Sequence, residues 1–79
     1  MAGTIRTLHD HRGAQGLSIR ALAVRVRERG LGTMSTQTIT AIEAGKPARI
    51  KSYRRLAAAL GVSVLEIKEY RDLVMGEDQ

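Results

Sequence analysis

The 79-residue sequence predicts an all-α fold of five short helices. Three observations carry that expectation. The apolar residues are mostly Ala, Leu, Ile and Val spaced three and four apart, with no alternating strand pattern. Serine stands before three of these stripes, and glycine stands after them, which is where helices start and stop. A single proline, Pro47, interrupts the chain.

Taken in order, helix 1 is expected from near Thr4 to the break GAQG, with Ile5, Leu8 and Arg12 along one side. Ser18 caps helix 2, whose Ile19, Leu22, Ala23 and Val26 form an i, i+3, i+4, i+7 stripe. Arg20, Arg25, Arg27 and Arg29 lie off the centre of that stripe. GLGT breaks the chain, and Ser35 caps helix 3. Gly45 occupies the left-handed position that ends helix 3, and Pro47 follows two residues later. Helix 4 covers about residues 50–60, buries Tyr53, Leu56, Ala57 and Leu60, and stops at Gly61. Helix 5 opens with SVLE, where Ser63 and Glu66 form a capping box and Val62 and Ile67 are placed for a hydrophobic staple. Its apolar side continues through Tyr70, Leu73 and Val74 to Gly76. The expectation is one domain over 1–79, with a core at about 4–75 and a tail at 76–79.

Composition narrows the function. A chain this short buries only about 60% of the surface it exposes when unfolded. With no cysteine, neither disulfides nor a Cys-based zinc site can supplement the core. No apolar run approaches the ~20 residues that span a bilayer, and MAGTIRTLHD lacks the apolar stretch of a secretory signal. A cytoplasmic, nucleoid-associated protein with no membrane partner is expected. Tyr53 and Tyr70 are the only aromatic residues, which argues against a base-stacking platform for single strands.

Charge is unevenly spread. Residues 17–55 hold nine basic side chains against Glu28 and Glu43, a net +7, whereas residues 56–79 are net −3. Such a basic middle suits an anionic polymer, and charge alone leaves a solvated basic surface equally open. Within it, STQTITAIEAGK is unusual. Ile39 and Ile42 define its inner face, and the opposite face carries Thr36, Gln37, Thr40, Ala41 and Ala44. That face has no charge in a chain that is 27% charged.

LSIRALAVRV, then STQTITAIEAGKPAR, then YRRLAAALGVSVLEI resemble the helix-turn-helix domain of lambdoid phage repressors, Cro proteins and Xre-type regulators. The resemblance covers roughly residues 5–68, and its most specific piece is IxxIExGK followed by LAxALGVSV. It implies a compact five-helix bundle whose third helix enters the major groove of double-stranded DNA. A helix face that reads base edges must be small and must offer neutral donors, acceptors and methyl groups.

By the same resemblance, Thr36, Gln37, Thr40 and Ala41 read bases. Gln37 is suited to adenine and the methyl groups to thymine. Lys46, Arg49 and Lys51 follow the DNA backbone, and Ser18, Arg20 and Ser35 are further phosphate ligands. Outside the family pattern, the segment between helices 2 and 3 offers Arg27 and Arg29 as extra phosphate ligands, with simple exposure to water as their alternative. Arg12 and Glu43 occupy positions where relatives place an ion pair between helix 1 and the end of helix 3.

Two departures stand out. Relatives carry glutamine just inside helix 2, where this chain has Ile19. The turn between helices 2 and 3 is expanded by six residues, RERGLG at 27–32, so that helix 2 is expected to run about one turn longer.

These features predict a small stand-alone transcriptional regulator, a repressor acting as a homodimer on a near-palindromic operator. No cofactor, metal or small-molecule effector is evident. Tyr70, Leu73, Val74 and Met75 are the expected dimer surface. The alternative is a protein-binding adapter, such as an Xre-type antitoxin, or a restriction–modification controller. Catalysis has no candidate constellation. His9 and His11 are two apart on a helix, cannot share a metal, and read as solvated side chains.

Overall fold

The computed structural model describes residues 5–75. Five α-helices follow one another: α1 Leu8–Ala14, α2 Ile19–Glu28, α3 Thr36–Glu43, α4 Ile50–Leu60 and α5 Lys68–Met75. A 3₁₀ turn, Val64–Glu66, precedes α5. Thr4, Gly76 and the rest of the 76–79 tail lie outside the described residues.

Local chemistry starts and stops these helices. Ser18 Oγ accepts from the Ala21 amide at 3.0 Å and Ser35 Oγ from the Thr38 amide at 3.2 Å, each satisfying a donor that the first helical turn leaves free. Gly45 and Gly61 take the left-handed conformation, φ 87° and 72°, beyond α3 and α4. At α3 this lets Gly45 and Lys46 donate back to the Ile42 and Ala41 carbonyls.

Leu8, Leu22, Val26, Ile39, Ile42 and Leu56 are fully buried in one core, so the first four helices share it. Burying each such side chain contributes roughly 1.5–3 kcal/mol. Tyr53 joins them and meets Tyr70 edge-to-face, the ring centroids 5.7 Å apart. Helix α5 has no buried residue, and its Tyr70 and Leu73 lie half-buried against the core.

The two ends of the described chain differ from the sequence expectation. Residues 5–7 are not helical. Arg6 instead donates to the Glu66 carbonyl at 2.9 Å and accepts from the Lys68 amide at 2.8 Å, a single bridge across Ile67. Ile67 is extended, φ −90° and ψ 116°, so helix 5 does not start at SVLE. The capping box is present, with the Ser63 amide donating to Glu66 Oε2, but it heads the 3₁₀ turn. Glu69 then reaches back from α5 to accept from the Leu8 amide at 2.8 Å, and Thr7 Oγ1 accepts from Asp10. The pairings of Arg6 with Glu66 and Lys68 and of Leu8 with Glu69 join opposite ends of the sequence, and local periodicity carries no trace of them.

His11 is also corrected: it is buried, not solvated, with 6% of its surface exposed. Its Nε2–H donates to the Glu66 carbonyl at 2.7 Å, which accounts for a polar ring in the interior. His9 is exposed.

The expanded connection between α2 and α3 is seated on the core. α2 ends at Glu28, two residues past Val26, rather than a full turn later. Leu31 then turns inward against the core, and Met34 is buried. Two apolar anchors therefore hold the loop on either side of Gly32.

One guanidinium ties three helices together. Arg12, in the last turn of α1, donates from Nε to Glu43 Oε2 at 2.7 Å and from Nη2 to Glu43 Oε1 at 3.0 Å. Its Nη1 donates to the Leu17 carbonyl, just before α2, at 2.9 Å. Side-chain exposure is only 14% for Arg12 and 11% for Glu43. The hydrogen bond to Glu43 raises the Arg12 pKa against the opposing effect of burial. Arg12→Ala is expected to cost roughly 2–3 kcal/mol, because it strands a mostly buried carboxylate. Chemical denaturation of Arg12→Ala, Glu43→Ala and the double variant measures the coupling; losses that simply add would show that the two residues act independently.

Candidate nucleic-acid interface

Ile39 and Ile42 turn α3 inward, and this sets what faces out. Thr36, Gln37, Thr40, Ala41 and Ala44 line one open concavity of about 270 Å³ with Lys46. All are exposed except Ala41, which is half-buried. The structure thus gathers the four residues expected to read bases, and it adds a single cation at the end of α3.

Their hydrogen bonding differs. Thr40 Oγ1 donates to the Thr36 carbonyl at 2.9 Å, so its proton is committed within the helix, and its methyl group and oxygen lone pairs remain. Ser35 and Thr38 share a hydroxyl contact of 3.0 Å. Gln37 has no side-chain partner among the described residues, which leaves both ends of its amide for a ligand.

Around this neutral face the cations fall into three settings. Lys46, Arg49 and Lys51 are exposed between the end of α3 and the first turn of α4. Arg20 and Arg27, seven apart on α2, line a depression with Thr33 and Met34 beside the start of α3. Arg29 leans instead toward α4, its Nη1 3.4 Å from the Ala58 carbonyl, and is not brought into either group. Ser18 and Ser35 use their hydroxyls as helix caps, so an anion there would meet backbone N–H groups.

Arg54 and Arg55 were absent from the sequence-derived set. The signal was present: Lys51, Arg54 and Arg55 are spaced i, i+3, i+4 on α4, opposite the buried Tyr53, Leu56 and Ala57. Arg25 looked equally free in sequence, yet its Nη1 donates to Gln15 Oε1 at 2.8 Å. Among the described residues no three His, Cys, Asp or Glu side chains cluster to hold a metal. No described helix is long and apolar enough to cross a membrane.

A capped helix with a neutral outer face, set on a core with α2 and flanked by cations, is the anatomy of a DNA-binding helix-turn-helix module. A family model for the helix-turn-helix domain matches residues 6–69, and the chain belongs to that family. Comparison with curated proteins and with solved structures returned no match.

The cations imply a salt dependence. Lys46→Ala and Arg49→Ala are each expected to make the fall of log K with log salt shallower by about 0.9, one counterion per phosphate. Unchanged slopes in both variants, measured on duplex DNA, would remove these residues from phosphate contact.

Proposed function

We propose that this protein is a sequence-specific regulator of transcription, a small repressor of the Cro and Xre type that binds double-stranded DNA as a twofold dimer. The observation that carries this reading is the outer face of α3, where four small or uncharged side chains share one concavity with Gln37, whose amide has no partner among the described residues. A surface built for solvent alone would carry Lys and Glu there. A surface built to enter the major groove needs amide, hydroxyl and methyl groups at base-edge distance. The flanking cations supply the sequence-independent attraction that holds such a helix in register.

Gln37→Ala is expected to lose about 1–3 kcal/mol on a site selected from random duplex DNA and little on non-specific duplex. Fluorescence anisotropy on both DNAs separates the outcomes, and equal losses would reassign Gln37 to a backbone contact.

Dimerisation rests on geometry and on an apolar surface. One reading helix spans too few base pairs for useful specificity, and paired helices must lie about one turn, roughly 34 Å, apart. The molecule measures 37 × 29 × 20 Å, which allows that spacing for two copies side by side. On α5, Tyr70 and Leu73 are half-buried on their own core, whereas Val74 and Met75 are 42% and 55% exposed. We infer that Val74 and Met75 make the contact, with Tyr70 and Leu73 behind them. Changing both to Lys (Val74→Lys, Met75→Lys) is expected to weaken pairing in sedimentation and abolish cooperativity on a full operator, with the circular dichroism unchanged. Unchanged pairing would move the interface elsewhere, to one of the other exposed large apolar residues, Ile5, Ile50 at the start of α4, or Leu65.

A further inference from the structure

The Gly30–Leu31–Gly32 segment faces the outer side of α4 across an open concavity of about 430 Å³. Its other walls are Lys51, Arg54 and Arg55, so three cations and no acid line it. Spaced i, i+3, i+4, these residues repel one another on the helix surface. None takes part in the ion pairs or side-chain hydrogen bonds among the described residues, although Arg12, Arg25, Arg29, Lys68 and Arg71 all do. An ordinary solvated helix face would place a Glu or Asp among them.

The loop is shaped around one of these cations. A methyl group at Gly32 would stand 3.3, 3.4 and 3.5 Å from Cζ, Nη1 and Nη2 of Arg55. Such near-equal distances mean that the guanidinium presents its flat face to Gly32, leaving its N–H edges uncommitted. Gly32 also takes φ +98°, which other residues rarely adopt. An Arg with a packed face and free edges is set for bidentate contact with an oxyanion, and Lys51 and Arg54 add charge beside it.

We propose that this concavity, formed by the expanded α2–α3 connection and α4, is a phosphate-binding site separate from the base-reading face of α3. The phosphate group comes either from the DNA backbone beyond the operator contacts or from a free phosphate in solution. Oxyanion recognition at the site is the same for both, and it does not depend on what α3 reads.

The test uses the full chain, ¹⁵N-labelled, and the double variant Arg54→Gln, Arg55→Gln. Titration with inorganic phosphate is expected to move the Gly30 and Gly32 amide resonances saturably in the wild type, and at least tenfold more weakly in the double variant. The amides of Thr40–Ile42, past the first turn of α3, should stay in place. On non-specific duplex DNA, the double variant is expected to shallow the salt slope by about 0.9 if a backbone phosphate occupies the site. A response to phosphate with an unchanged slope identifies a free-anion site. A slope change without a response to phosphate identifies a site for DNA phosphate alone. No response to phosphate and an unchanged slope overturn the proposal. Arg54→Gln alone, at an exposed position, gives the same readouts at partial strength should the double variant lose its fold. If the protein bound no duplex at all, the regulatory reading would fail, and the phosphate titration would still decide this site.

Discussion

The fold turns on the Arg12 guanidinium. α3 ends in a carboxylate, Glu43, where the helix dipole is negative and an acid is disfavoured. Arg12 offsets this from the last turn of α1, where a cation is itself favoured. Because the same side chain also holds the Leu17 carbonyl, the end of α3 and the start of α2 are referred to one planar group. The fork geometry of that group fixes an angle as well as a distance, which a lysine could not do. A helix that presents side chains to base edges needs such a constraint, since a small tilt would move every contact together.

A second set of ties closes the bundle. The Glu66 carbonyl accepts from both Arg6 and His11, and Glu69 caps α1 from α5. Gln15 continues the pattern, donating to the Leu60 carbonyl while accepting from Arg25. These are polar contacts around a small core, and no buried side-chain nitrogen or oxygen among the described residues lacks a partner. With so little apolar area to bury, polar satisfaction decides how the helices sit.

Charge and neutrality are divided by element. The outer face of α3 is uncharged, while α2, the segment after α3 and the outer side of α4 carry the cations. An anionic polymer would be drawn by the flanks and discriminated by the centre. α5 sets Lys68 and Arg71 against Glu69 and Asp72, so it has no net charge to draw phosphate, and it keeps the exposed apolar residues Val74 and Met75.

How much was legible in the sequence follows from the range of each interaction. Periodicity placed α2, α3 and α4 with their buried residues, because a stripe at three and four residues reports its own helix. Ser18, Ser35, Gly45 and Gly61 marked their ends, because capping acts within one turn. The family pattern brings Arg12 to Glu43 from the sequence alone, and the two are paired at 2.7 Å. What escaped was non-local. Nothing near Arg6 announces the carbonyl of Glu66, so residues 5–7 read as helix when they pair with the chain's other end. His11 looked solvated because its partner is 55 residues away. The expanded connection left the position of α3 open until Leu31 and Met34 were seen to anchor it. Arg54 and Arg55 drew no notice in the sequence, because the glycine loop that lies against Arg55 comes from a distant part of the chain. By itself, the sequence determined the helices, their caps and the uncharged character of the α3 face, since these depend on neighbours in the chain. Only the tertiary structure decided which cations are free and which surface they share, since that depends on which distant groups had already claimed the others.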